Sequence, residues 1–136
     1  MLHQPAKAQS PKPTINHIAQ TVVNIEESAF FYGTVLGLDT IPEPFHDGLH
    51  IWYAIGGNAS LHIIGGAKQK IARDKGHHLC FSVASMDLQI TLLKKYSLKW
   101  EDWPGKTYGI TTRPDGVKQI WLQDPDGYWI EINDAH

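Results

Sequence analysis

Apolar and polar positions alternate in short runs bounded by turn residues, and twice that alternation gives way to a helical period. From Ile15 to Val23 β-branched residues are frequent and His17, Ala19 and Thr21 fall on one face, which predicts a strand. Asn24 then suits a helix N-cap and Glu27 completes a capping box. Ile25, Ala29, Tyr32 and Leu36 recur at helical spacing up to Gly37, a C-terminal stop. Strands are predicted at Leu38 to Ile41, His50 to Ile55 and Ser60 to Ile64, the last two joined by a Gly56-Gly57-Asn58 turn. The product is a β-α-β-β-β module.

A polar linker from Gly65 to Gly76 follows, with Lys68, Lys70, Arg73 and Lys75, and then the pattern restarts. His78 to Val83 alternates, with Leu79, Phe81 and Val83 on one face and His78, Cys80 and Ser82 on the other. Ser85 caps a second predicted helix that buries Leu88, Leu92 and Tyr96 and carries Lys94 and Lys95 at its C-terminal dipole. Further strands are expected near Lys99 to Trp103, Lys118 to Leu122 and Tyr128 to Asn133, with a long loop from Pro104 to Gly116. The last strand is entered through Asp124-Pro125-Asp126-Gly127, strong turn chemistry.

The two halves overlay. His17 precedes the cap Asn24 by seven residues and His78 precedes the cap Ser85 by seven; His62 follows Asn58 by four and Glu131 follows Gly127 by four. Each half therefore offers one candidate metal ligand on its first strand and one on its last. Glu131 shares a strand face with Trp129 and Asn133, opposite the aliphatic Ile130 and Ile132. A carboxylate there is costly unless it is solvated, paired or bound to a metal.

Composition narrows the partner. At 136 residues and 42% hydrophobic content the chain is long enough for one domain with a real core. A formal charge of −2, from 12 basic and 14 acidic residues spread along the chain, gives no electrostatic footprint for nucleic acid or an acidic membrane, so a small molecule is expected. No apolar run reaches the roughly 18–20 residues that span a bilayer. One cysteine, Cys80, excludes an internal disulfide framework. Residues 1–14, rich in Pro, Gln, Ala and Lys, read as a disordered lead-in to a single domain at 15–134, with modules at 15–65 and 77–134. Ala6-Lys7-Ala8 has the small-x-small form of a signal-peptidase site without the apolar segment before it. The expected compartment is the cytoplasm or, if that site marks a trimmed signal peptide, the periplasm or the exterior.

His17, His62, His78 and Glu131 have mostly small or polar neighbours on their own faces. If the aliphatic faces pack on the helices, these four side chains line the concave side of a curved sheet. Three imidazoles and one carboxylate suit a divalent zinc, nickel, cobalt, manganese or iron ion. His77, His46, His50, His3 and His136 read as bystanders, although His50 beside Trp52 could line the cup. Cys80 faces the same way as His78 but has no base to activate it, so it reads as a packed thiol.

Asn16-His17-Ile18, Glu27 to Tyr32 with Leu36-Gly37-Leu38, His78 to Val83 and Asp124 to Glu131 together resemble the vicinal oxygen chelate superfamily, which includes glyoxalase I, bleomycin-binding proteins and extradiol dioxygenases. The resemblance runs from about Ile15 to Asn133. It implies an α+β fold of two βαβββ modules paired into a cupped, partly closed mixed sheet with helices outside. His17, His78 and Glu131 fall on the family's metal positions and His62 on its fourth, where glyoxalase I usually has Glu or Gln. The implied activity is that of a glyoxalase I-like, metal-dependent lyase or isomerase that binds vicinal oxygens of a small substrate, with Glu131 as ligand and proton shuttle. Thr21 and Gly66 stand where the bacterial glyoxalase has its glutathione clamp, which speaks against glutathione. The alternatives are a metal-free, drug-sequestering binding protein and an iron-dependent, dioxygenase-like enzyme. Relatives often build the cup across a homodimer, in which case His17 and His62 would meet His78 and Glu131 of the partner chain.

Overall fold

The computed structural model describes residues 11–136; the Ala6-Lys7-Ala8 motif and most of the expected lead-in lie outside the described residues. The first half contains β1 (His17–Val22), α1 (Ile25–Ala29), a π-helical continuation (Phe30–Val35), β2 (Thr40–Ile41), β3 (His50–Ala54) and β4 (Ser60–Gly65). The second contains β5 (His78–Ser82), α2 (Met86–Lys95), β6 (Thr111–Thr112), β7 (Lys118–Gln123) and β8 (Trp129–Asn133). Each half closes its own four-stranded sheet, in the orders β1-β4-β3-β2 and β5-β8-β7-β6. The α+β class and the βαβββ repeat are as expected, with two separate mixed sheets in place of one continuous cup and neither sheet closed into a barrel.

Register makes the repeat quantitative. β1 runs parallel to β4 with His17 opposite Ser60, and β5 runs parallel to β8 with His78 opposite Trp129. In both sheets the second candidate, His62 or Glu131, stands two residues beyond that partner. Each pair therefore sits on one face of a parallel strand pair, at the same offset.

The opposite faces build one core. Leu61 and Ile63 of β4, Ile120 of β7 and Ile130 and Ile132 of β8 join Tyr32 and Leu93 in a single cluster with essentially no exposed surface. Each such aliphatic side chain contributes about 1.5–3 kcal/mol relative to an exposed position. Gln20, the polar exception on the core face of β1, is buried beside Tyr32, whose hydroxyl oxygen lies 2.7 Å from both Gln20 Oε1 and Asp124 Oδ2. Burial, with Asp124 as neighbour, pushes the Tyr32 hydroxyl pKa up. The Asp124–Gly127 turn is bonded across to the first half. Val23 N–H donates to Asp126 Oδ1 (2.8 Å), and the Tyr128 hydroxyl donates to the Thr21 carbonyl (3.0 Å).

Caps behave largely as expected. Asn24 Oδ1 accepts from Glu26 and Glu27 N–H, and Ser85 Oγ accepts from Leu88 N–H. Glu27 does not close the box; its carboxylate pairs with Lys70 at 3.3 Å. Gly37, at φ +70°, ends the first helix. Two expectations fail. α2 buries Met86 and Leu93, while Leu88 is 73% exposed, so the packed face is rotated from the predicted one. Lys99 to Trp103 is not a strand but meets its neighbours through isolated bridges at Glu101, and β6 lies inside the expected loop. Asp102 explains this: its Oδ1 accepts from Gly105 and Lys106 N–H, turning the chain where a strand would have continued. Among the described residues no helix is long and apolar enough to cross a membrane.

Candidate metal centre

The four predicted site residues come together as two pairs, one on each sheet. His17 and His62 stack face to face, with ring centroids 4.2 Å apart and planes 3° from parallel. Trp52 continues the stack at 3.8 Å from His62. It does so because it is the β3 residue directly opposite His62 in the antiparallel register. His17 Nδ1 lies 2.7 Å from Asn16 Oδ1, so Nδ1 carries the proton and Nε2 is left as a lone-pair donor. His62 Nε2 is 2.8 Å from Ser60 Oγ. Burial, then His17 and His50, hold the His62 pKa below the ordinary imidazole value, favouring the neutral ring that a metal needs.

The second pair is an ion-pair contact. His78 Nε2 is 2.9 Å from Glu131 Oε2, and Glu131 is 6% exposed. His78 Nδ1 lies 2.8 Å from the Lys75 carbonyl, an acceptor only, which places a proton on Nδ1. A neutral His78 therefore turns the lone pair of Nε2 toward a carboxylate oxygen. That juxtaposition is repulsive unless a cation, a proton or a metal ion, stands between them. The other carboxylate oxygen, Oε1, accepts from Gln119 Nε2 (2.6 Å) and Asn133 Nδ2 (3.2 Å), which fixes the carboxylate plane. Asn133 also donates to Cys80 Sγ at 3.0 Å. Cys80 is exposed rather than packed as expected, yet desolvation and the neighbouring Glu131 push its thiol up to about 12, so it is a neutral thiol at physiological pH.

Lys75 anchors this arrangement from the linker that the sequence left unstructured. Its ammonium pairs with Glu101, donates to the Asp102 and Trp103 carbonyls (both 3.1 Å) and lies 5.0 Å from the Trp129 ring centroid. The backbone carbonyl of the same residue sets the His78 tautomer.

Each pair offers donor types that a divalent ion takes: ring nitrogens in the first, a nitrogen and an oriented carboxylate in the second, with their second ring nitrogens or oxygens held by neighbours. Among the described residues of one chain, no group of three or more His, Cys, Asp or Glu side chains converges on a common point. Both histidine strands present these faces to solvent: His17, Ala19 and Thr21 on β1 and His78, Cys80 and Ser82 on β5 are exposed.

The stacking of Trp52 on His62 and the contacts of Gln119, Lys75 and Asn16 escaped the sequence reading, which set Trp52 beside the cup and Asn133 on the face of Glu131. For the first two a signal existed. Counting outward from Gly57 pairs Trp52 with His62, and strand parity puts Gln119 on the face of Glu131. For Lys75 none did, since its role depends on a loop conformation.

Comparison with known proteins agrees with the fold. Residues 14–132 match the family described as the Glyoxalase/Bleomycin resistance protein/Dioxygenase superfamily. The uncharacterized protein YwbC of Bacillus subtilis (strain 168) is 28% identical over 124 residues, covering 87% of this chain and 94% of YwbC. Glyoxylase I 4 of Arabidopsis thaliana is 25% identical over 125 residues, 88% of this chain and 69% of that protein. Among solved structures, Oxidase ChaP-H2 shares the fold with a TM-score of 0.75 at 22% identity, over 93% of this chain and 96% of its own. With a match that spans nearly all of the described chain, the protein belongs to the glyoxalase/bleomycin resistance protein/dioxygenase superfamily.

Proposed function

We propose that the protein is a metal-dependent lyase or isomerase resembling glyoxalase I, with one divalent ion held by His17 and His62 of one chain and His78 and Glu131 of a second. The observation that carries this reading is the contact of His78 Nε2 with Glu131 Oε2 at 2.9 Å while Nδ1 is committed to the Lys75 carbonyl. When His78 is neutral two lone-pair donors are aimed at one another, and a cation, a metal ion or a proton, relieves them. The exposure of both ligand faces, on sheets that do not bring the pairs together, supports a site completed between two chains. Likeness to Glyoxylase I 4 supports the reaction class.

When bound, the metal supplies Lewis-acid stabilisation of negative charge on two adjacent substrate oxygens. The protein supplies the rest. Glu131, fixed by Gln119 and Asn133, takes a proton from the substrate carbon and returns it to the neighbouring one. Neither Gln119 nor Asn133 can ionise, so they orient the carboxylate without holding a competing charge. Cys80, a neutral thiol, stays out of the chemistry.

A second reading, a metal-free binding protein for small molecules, is favoured by one observation. His62 is sandwiched between His17 and Trp52 with Nε2 already engaged by Ser60, as in an aromatic wall. Metal analysis of protein purified without chelator separates the two. About one divalent ion per chain, lost in Glu131→Ala and His17→Ala, is the expected result. Protein that stays metal-free after dialysis against zinc, nickel, cobalt, manganese and iron(II) overturns the enzyme reading.

A further inference from the structure

Residues 43–50 form a built rim over one side of the His17–His62 pair. Glu43 accepts, through its carboxylate, from Phe45 N–H (2.6 Å) and His46 N–H (3.0 Å), and His46 takes a left-handed φ of 52°. Asp47 Oδ1 accepts from Leu49 N–H and lies 2.9 Å from His50 Nδ1. The hydrogen bond from His50 holds the Asp47 carboxyl below its ordinary range. Phe45 stacks on His50, with centroids 4.1 Å apart and planes 19° from parallel, and its edge approaches Trp52 at 6.4 Å. This phenyl ring is 56% exposed yet oriented by a non-glycine left-handed turn and two carboxylate caps. An exposed aromatic side chain held by that much local structure is preorganised for contact.

The space it overhangs is a cavity of about 550 Å³ lined by Ile41, Pro42, Phe45, Trp52 and Ile64 along with His17 and His62. That volume lies within the usual range for small-molecule pockets. No lysine or arginine lines it.

We infer that this cavity binds an uncharged, planar aromatic group, and that Phe45 is its specificity-determining residue. The flat ring lies against the exposed side of Phe45 and the apolar wall of Ile41, Pro42 and Ile64, where no lysine or arginine side chain meets a carboxylate, phosphate or sulfonate. The inference rests on the proposed metal site for where substrate oxygens react, but ring binding itself requires no metal.

The test uses the full chain after chelator treatment and again after metal loading, with three probes that share a fused bicyclic carbon skeleton: 2-naphthol, 2-naphthalenesulfonate and 2-decalol. Calorimetry is expected to give naphthol binding at least tenfold tighter than decalol in both preparations, and at least tenfold tighter than the sulfonate in the metal-free one. Phe45→Ala is expected to weaken naphthol at least fivefold and Phe45→Trp to retain it, with the sedimentation coefficient unchanged in both. Equal affinity for decalol, or for the sulfonate in the metal-free preparation, or naphthol binding indifferent to Phe45→Ala, overturns the inference. A change of oligomeric state in Phe45→Ala with unaltered naphthol affinity also overturns it, by assigning the ring to a subunit contact. Naphthol binding without any metal uptake would sink the metal reading and leave this one standing.

Discussion

The two halves share a backbone plan and differ in what they hang on it. In each, a parallel strand pair presents two candidate ligands at the same register offset. The first half surrounds its pair with stacked rings, Trp52 on His62 on His17, and no carboxylate. The second surrounds its pair with amides, a thiol and a linker carbonyl that orient one buried carboxylate. Repetition of the fold thus fixes where ligands stand, while the cross-strand neighbours decide what each half can do. Under the proposed function the first half is a wall and a pair of neutral donors, and the second carries charge and moves the proton.

The core side tests the symmetry most forcefully. Leu61 and Ile130 occupy equivalent positions, each fully buried and one residue past the strand partner of the first histidine. Leu61→Ala and Ile130→Ala are each expected to cost about 2–5 kcal/mol in urea unfolding, with values alike. A large disparity would break the structural equivalence.

The ligand side tests the asymmetry. Glu131→Ala is expected to weaken metal binding more than about a hundredfold, beyond the range of outer-shell changes, and His62→Ala by roughly tenfold because Ser60 and the Trp52 stack already occupy that ring. Titration with cobalt(II), read by its visible absorption, checks both. Equal losses would mean the halves contribute equally. One step further out, Gln119→Leu and Lys75→Met are each expected to cost about 10–100-fold in cobalt affinity with little change in urea midpoint. In Lys75→Met, loss of the clamp on Glu101 frees the carbonyl that sets His78, so nitrogen-15 spectra should show a mixed His78 tautomer. An unchanged tautomer would remove Lys75 from the account.

Much of this was legible in the sequence for a physical reason. Strand parity and turn chemistry are local, so the modules, the offset of His17 from Asn24 and the turn before Glu131 could be read from spacing alone. The face of α2 could be read only in part: Tyr96 packs against the core as expected, but Leu88 and Leu92 compete with Met86, Ile90 and Leu93 for burial and tertiary packing chose the latter. The Lys99 to Trp103 strand failed to a side chain, Asp102, that offers the backbone a turn. The separation of the two pairs was beyond spacing altogether, since it depends on how two sheets are set against one another.

The smallest effect concerns Cys80. Its pKa is raised by burial and by Glu131, so in metal-free protein near pH 8 the thiolate fraction is low and iodoacetamide should react slowly. Glu131→Gln removes the charge that opposes ionisation, and alkylation is expected to accelerate several-fold. An unchanged rate would show that the second half is less tightly coupled than its hydrogen bonds imply.

Mixing two inactive variants tests the shared site most directly. His17→Ala and Glu131→Ala chains, each unable to bind metal alone, are refolded together and the mixed dimer isolated by differential tags. If the site joins the first half of one chain to the second half of the other, one of the two sites in the mixed dimer has both lesions and the other has none. The account predicts about one tightly bound metal ion per mixed dimer and none in either parent. A mixed dimer as empty as its parents would contradict it.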